Sequence, residues 1–355
     1  MNIDSLFQLM IDSNVTDLFV RAGGPVRGRV DSKVVGLGKD QINIEQINRL
    51  IDATLDSQAK SDLEIKRNCE FALWHNDDWR FRLSVFFQRN TPTIVIRKIN
   101  LQFSSFQDLN LPAKVLSNFC QERRGLVLLT GTTGSGKSTT IATMLEHINK
   151  NLNYHILAVE EPIEFTFKDK MSVVNQREIG KDVISYQAAL KQFALHSPDV
   201  IFIGNIRDAE TCHAVLTAAE TGVLVFSTIH TVNAVSTIKR IINFFPPHHH
   251  NLVRGQLSTL LKGVVSQRLL PMSGGGLVPA YESMVLSPTI SRLIREDKEW
   301  EIPQYIASGD IYGMKSFNQS LLELVEAKKV SSRVALDYSD QKEDLGMELR
   351  NRGLV

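Results

Sequence analysis

The sequence predicts an α/β protein of two domains: a mixed α+β unit, then a parallel α/β unit built around a phosphate-binding loop. Three observations carry that expectation. Gly131-Thr132-Thr133-Gly134-Ser135-Gly136-Lys137-Ser138-Thr139 fits the pattern G-x-x-x-x-G-K-[ST]. It stands between an apolar run of strand length, Gly125–Thr130, and a helical segment that opens at Thr139. From about residue 113 short apolar runs alternate with helical segments, the texture of a parallel sheet, whereas the first hundred residues carry paired strand patterns.

In chain order, Phe7, Leu9, Met10 and Ile11 suit an opening helix. Residues 17–21 and 28–30 read as strands around the turn Gly23-Gly24-Pro25. Ile44, Ile47, Ile51 and Leu55 have helical spacing. Residues 79–86 and 93–97 read as paired strands joined by Gln88-Arg89-Asn90-Thr91-Pro92. Alternation puts Arg80, Arg82 and Ser84 on one sheet face and Phe81, Leu83 and Val85 on the other. Domain boundaries are expected at 1–100, a linker at 101–112 within the stretch Asn100–Pro112, and 113–355. In the second domain the core strands are expected at 125–130, 155–160, 199–204 and 223–228, with helices at 250–270 and 316–328. Gly274-Gly275-Gly276 marks a turn, and the polar tail from Asp337 reads as partly disordered.

A chain of 355 residues has room for two cores. Its formal net charge of +1 creates no global field for nucleic acid. Nothing near the N-terminus has the charged and apolar runs of a signal peptide, and no apolar stretch reaches spanning length. Cys69, Cys120 and Cys212 are too scattered for a zinc motif and read as reduced thiols of a cytoplasmic protein. His248-His249-His250, after two prolines, reads as a solvated loop, because a tight metal site draws ligands from separate elements.

A glycine turn between a strand and a helix aims backbone N–H groups and the helix dipole at an anion. Lys137 would reach the β- and γ-phosphates and Ser138 would hold Mg²⁺. ATP with Mg²⁺ is therefore the expected ligand. Hydrolysis also needs an acid at the end of a neighbouring strand. The strand Val200–Gly204 ends instead in Asn205, an amide that cannot take a proton from water. Glu160, Glu161 and Glu164 follow another strand, where a doubly wound sheet binds ligand; they suit a base or a metal-water ligand, or else a solvated turn. His230, also at a strand end, could sense the γ-phosphate or simply pack at the surface.

With these segments assembled, the chain resembles the secretion-type P-loop ATPases, and within them the PilT/PilU group of type IV pilus retraction motors. The residues that carry the resemblance are Gly131–Thr139, Val159-Glu160-Glu161-Pro162-Ile163-Glu164-Phe165, Asn175-Gln176-Arg177-Glu178, residues 198–208, Ala219-Glu220-Thr221-Gly222, Ser227-Thr228-Ile229-His230-Thr231 and Ser266-Gln267-Arg268-Leu269. Residues 240–246 and Asp344-Leu345-Gly346-Met347 lean towards PilU. The resemblance implies a PAS-like N-terminal domain, a RecA-like ATPase domain and a homo-hexameric ring. It places the ring in the cytoplasm, peripheral to the membrane, against an inner-membrane pilus platform protein and in company with a paralogous retraction ATPase. Arginines of a neighbour's N-terminal domain would complete the nucleotide site, with Arg82 and Arg97 as candidates. Assembly motors of the family carry a four-cysteine zinc motif that this chain lacks, which favours retraction.

Against the family pattern, Asn205 replaces a glutamate, Val223 a histidine and Leu195 an arginine. All three are expected near the nucleotide, so that binding survives and hydrolysis suffers. On this reading Asn205, Glu160, Glu161, Glu164 and His230 are the candidate catalytic residues, and Ser138, Glu160 and Glu164 the candidate metal ligands. Two functions follow: a motor subunit coupling ATP binding and slow hydrolysis to pilus depolymerisation in twitching motility, or a non-hydrolysing ATP-binding partner of an active retraction ATPase. A nucleic-acid motor would need a basic, aromatic-lined channel, and balanced charge with 7% aromatic residues speaks against it.

Overall fold

The computed structural model describes residues 2–30, 33–76, 79–99 and 103–354. Two units separate, Met1–Gln102 and Phe103–Val355. Of the connector expected at 100–112, residues 100–102 lie outside the described residues. Phe106 and Leu111 are buried in the core of the second unit.

Among its described residues the first unit holds six strands: β1 (Asp17–Arg21), β2 (Arg27–Val30), β3 (Lys33–Gly36), β4 (Asn68–His75), β5 (Trp79–Gln88) and β6 (Thr91–Ile99). Their order is β3-β2-β1-β6-β5-β4, antiparallel throughout. The alternation in β5 works as expected: Phe81, Leu83 and Val85 are wholly buried, and Phe7 of the helix Ile3–Asp12 stacks on Phe81 at 4.1 Å between centroids. Burying one such side chain contributes about 1.5–3 kcal/mol. The helix Ile44–Thr54 adds Ile47, Leu50 and Ile51 to the same core.

The β5–β6 connection is tighter than expected. Only Arg89 and Asn90 leave the ladder, both at positive φ (47° and 59°), and Thr91 and Pro92 already pair in β6. A two-residue turn of that hand matches the twist of the strands. The strands β3 and β4 and the helix Ser57–Lys66 had no clear signal, because β3 is wholly exposed and β4 carries no fully buried residue.

The second unit is built on β7 (Gly125–Thr130), β8 (His155–Glu160), β9 (Val173–Glu178), β10 (Val200–Ile203), β11 (Leu224–Ile229), β12 (Leu261–Pro271) and β13 (Leu277–Val285). The sheet order is β13-β12-β7-β11-β10-β8-β9, parallel except for β13. All six residues of β7 and all six of β11 are buried, as strands covered on both faces must be. Leu126, Leu128, Val225 and Ile229 point to one apolar layer; Val127, Leu129, Leu224 and Phe226 point to the other.

Two expectations here are corrected. Residues 250–270 are not one helix: His250–Leu260 is helical, and β12 follows at once. Gly263 explains the switch, since a Cβ there would meet Phe119 at 2.1 Å and the Met284 carbonyl at 2.5 Å. Close approach to a neighbouring strand overrides helical spacing. The tail is folded, in helices Ser332–Tyr338 and Lys342–Asn351. Leu345 and Leu349 are wholly buried against Leu321 and Leu324 in a small separate core.

Candidate functional site

The loop between β7 and the helix Lys137–Asn151 is shaped by its glycines. Gly131, Gly134 and Gly136 have φ of 143°, 78° and 92°, a region that other residues rarely enter. A Cβ on Gly131 would also meet Ser135 Oγ at 2.4 Å and the Gln267 carbonyl at 2.5 Å. The helix that follows has Gly136 at its N-cap and no side-chain capping bond, so its first N–H groups face the loop. Lys137 is buried and its Nζ donates to the carbonyls of Gly131 and Thr132, each at 2.8 Å. Desolvation pulls its ammonium below the ordinary lysine range, and the charge of Glu164 opposes that fall. Among the described residues Ser135 Oγ is buried without a hydrogen-bond partner. An orphaned hydroxyl, a desolvated ammonium and an uncapped helix N-terminus all fit a phosphate chain. Ser138 opens the second position of the helix, half-exposed.

The neighbouring strand β12 braces this cradle. Thr130 Oγ1 donates to Ser266 Oγ at 2.8 Å, and Thr140 Oγ1 donates to Gln267 Oε1 at 3.0 Å. The role of Ser266 and Gln267 was hidden from sequence by reading this stretch as helix. As a strand it sends successive side chains to opposite faces, Val264 to one apolar layer and Val265 to the other.

The acidic residues stand at the end of β8. Glu160 is buried and accepts from Gln176 Nε2 at 3.1 Å. Gln176 also donates to the Phe165 carbonyl at 2.7 Å and accepts from the Phe167 N–H at 3.1 Å, tying the loop down. Glu161 is exposed and pairs with Arg207 at 2.8 Å. Glu164 is the half-buried acid whose field reaches Lys137. Tyr186 lies beneath them, its hydroxyl 3.2 Å from where a Cβ on Gly204 would stand. Desolvation and then Glu161 push its phenol above the ordinary range.

Asn205 is buried just past β10, between the ends of β8 and β11. Gly204 N–H donates to the Val159 carbonyl at 2.9 Å, which sets Gly204 level with Glu160 and Asn205 one residue further along, level with Glu161. Thr228 Oγ1 lies 2.5 Å from the Gly204 carbonyl and 3.5 Å from Asn205 Oδ1. His230 is exposed just past β11, adjoining the backbone of Gly131 and within the field of Lys137. Desolvation first, then Lys137, lowers its pKa below 6.5, so the ring is neutral at pH 7. Asp208 caps the helix Ala209–Glu220 through the Thr211 N–H at 2.7 Å.

The second unit thus gathers Gly131 to Thr139, Glu160, Glu164, Asn205 and His230 at the C-terminal ends of its strands. Arg82 and Arg97 belong to the sheet of the first unit, where they are cross-strand partners. Arg82 is paired with Glu70 and Arg97 with the buried Asp17, at 2.7 Å for the latter.

The expected clustering of all three departures is corrected. Val223 accepts from the N–H of Gly125 at the start of β7, whereas the phosphate loop follows its end. Five steps of about 3.3 Å put some 17 Å between those levels. Leu195 lies on the helix Tyr186–His196, 82% exposed, on the approach to β10. Val223 lines a cavity of about 860 Å³ between that helix and Ala209–Glu220, with Leu190, Phe193 and Phe245 among its walls. Only Asn205 stands among the strand ends that carry the phosphate loop.

A family model described as type II/IV secretion system protein matches residues 4–311. The chain is 34% identical to the type IV pilus ATPase PilU of Pseudomonas aeruginosa over 99% of this chain and 92% of that protein. It is 38% identical to the type IV pilus retraction ATPase PilT of the same organism, over 94% of this chain and 96% of that one. The crystal structure of the pilus retraction motor PilT with bound ADP superposes with a TM-score of 0.91 at 37% identity, covering 98% of this chain and 99% of that one. The Legionella pneumophila ATPase DotB shares the fold at a TM-score of 0.80 and 22% identity, covering 94% of each chain.

Proposed function

The chain belongs to the type II/IV secretion system protein family, among the retraction ATPases of type IV pili, and from that premise we propose that it is an ATP-binding motor subunit of a pilus retraction machine. It couples ATP binding and hydrolysis to pilus depolymerisation, the movement behind twitching. The observation that carries the reading is the intact phosphate cradle, with Lys137 desolvated over Gly131 and the helix N-terminus uncapped, in a chain alike to PilU and PilT over nearly its whole length. Relatives that match so closely bear the names of ATPases, so the non-hydrolysing alternative is not adopted.

In the proposed site the loop N–H groups and Lys137 bind and orient the phosphates. Ser138 and Glu164 hold Mg²⁺, which neutralises phosphate charge when bound. Glu160 is the acid placed to take a proton from water, with Asn205 on the neighbouring strand end as an amide that can orient but not accept. Neutral His230 is a hydrogen-bonding group for the terminal phosphate. Slow turnover follows, because the usual general base contributes about 10²–10⁴-fold. We further propose a cytoplasmic ring of six copies at the inner-membrane face, bearing on a platform protein and on a paralogous ATPase. Arg82 and Arg97 are proposed to serve a neighbouring copy's site once released from Glu70 and Asp17. No helix among the described residues is long and apolar enough to cross a membrane.

The test is steady-state phosphate release by the purified protein with MgATP, together with twitching of a strain carrying Lys137→Ala. The proposal expects slow, Lys137-dependent release and loss of twitching. ATP binding that is absent from the unmodified protein, or twitching untouched by Lys137→Ala, would refute it.

A further inference from the structure

The helix Ala234–Asn243 begins four residues after His230. Its capping box serves Asn233 and Ser236: Ser236 N–H donates to Asn233 Oδ1 at 2.8 Å, and Asn233 N–H donates to Ser236 Oγ at 3.2 Å. The box leaves the first N–H of the helix, on Ala234, without a local acceptor. That N–H donates to Glu282 Oε1 on β13 at 2.8 Å. A carboxylate at a helix N-terminus is favoured by the helix dipole as well as by the hydrogen bond.

The sheet register places this carboxylate with purpose. Ile229 on β11 faces Thr130 on β7, Thr130 faces Ser266 on β12, and Ser266 faces Glu282 on β13. One rung therefore runs from the residue before His230, through the residue before Gly131, to Glu282. Thr130 and Ser266 are hydrogen-bonded within it. The segment from Thr231 to Asn233 is a short strap pinned at both ends. Its near end is the strand end beside Gly131, and its far end is the Glu282 bond. Thr231 Oγ1 meets Thr237 Oγ1 at 2.6 Å along the way.

We propose that Glu282 is a positioning residue which, by anchoring the start of the helix Ala234–Asn243, holds His230 against the phosphate loop and so sets how strongly the site distinguishes ATP from ADP. The inference rests on the reading of Gly131–Thr139 as a nucleotide site. Charged groups reach Glu282 from two elements: Arg268 on β12 favours its ionised form, and Asp340, already paired with Arg268, opposes it. Arg268 is further engaged with the Tyr338 carbonyl and lies over the Phe317 ring. It therefore compensates Glu282 only in part, and desolvation pushes the Glu282 carboxyl up to about 7. The anchor is thus ionised above neutrality and weakened as pH falls through that value.

The experiment is a double-mutant cycle in the full chain, using Glu282→Ala and His230→Ala, read by titration with fluorescent mant-ATP and mant-ADP. Glu282→Ala is expected to weaken mant-ATP about tenfold and mant-ADP little, and to add less than about twofold once His230 is alanine. Glu282→Gln, which keeps an acceptor oxygen, should restore part of the affinity and lack the pH dependence near 7. Hydrogen exchange across residues 231–236 should accelerate in Glu282→Ala. Equal losses in both His230 backgrounds, or unchanged exchange in that segment, would overturn the proposal. If the unmodified protein binds neither nucleotide, the nucleotide reading itself fails, whereas faster exchange on its own would still identify the anchor.

Discussion

Asn205→Glu places a carboxylate where the retraction-ATPase pattern has one, and the structure sets both its gain and its cost. Asn205 is 8% exposed, close to Thr228 and one residue past the level of Glu160. A competent base there is worth about 10²–10⁴-fold in rate, or roughly 3–5 kcal/mol of barrier. The cost is charge. Neighbouring strands lie about 4.8 Å apart and successive residues about 3.3 Å, so backbone spacing puts the introduced acid about 6 Å from Glu160. At an effective dielectric of 20 their repulsion is about 3 kcal/mol. That is enough to lift the introduced acid from about 4.3 to above 6. A base with a raised pKa is empty of protons only above that value, so phosphate release by the variant should climb as pH rises from about 5 to 8. Steady-state release with MgATP, measured beside the unmodified protein, is the assay; mant-ATP binding and a melting curve control for the fold. The reasoning expects at least about a hundredfold rise at pH 8. A folded variant that binds ATP and releases phosphate no faster than the parent would refute it.

Lys137→Met should lower ATP affinity by about a hundredfold or more, because it removes a charge-assisted phosphate contact, and should lower the melting temperature modestly, because the Gly131 and Thr132 carbonyls lose their donor; isothermal titration and a melting curve check it. Gly131→Ala should destabilise by about 2–4 kcal/mol in urea unfolding, from strain at positive φ and contact with Ser135 and Gln267. Leu345→Ala should cost about 2–4 kcal/mol, since the wholly buried side chain leaves a cavity, whereas a disordered tail would register nothing. His230 is held neutral by its surroundings, its folded pKa lying below 6.5. The unfolded chain therefore takes up the proton first, so this contribution is present above about 6.5 and lost as pH falls through the lower folded value. His230→Gln should flatten that part of the stability profile below about pH 6.5, damped because the ring is largely exposed.

Motifs made of contiguous residues were legible in the sequence. The phosphate loop fixes its own conformation, because glycines at positive φ and a helix opening at Lys137 are local requirements. The strand runs 125–130 and 155–160 declared themselves by unbroken apolar character, as fully covered parallel strands do. Asn205 was legible as a departure because it ends such a run.

What lay outside the sequence depended on which segments become neighbours. Residues 261–271 have helical spacing, and only the space beside Phe119 and Met284 makes them a strand. The tail is polar on average, and it folds because Leu345 and Leu349 find Leu321 and Leu324. Val223 and Leu195 are read beside the nucleotide in a linear pattern, yet a strand carries its two ends about 17 Å apart, so only Asn205 stays with the phosphate loop. Glu282 is far in sequence from His230 and gave no signal, since its role exists only through a register across four strands. Local backbone chemistry determined the cradle; the pairing of strands decided what surrounds it.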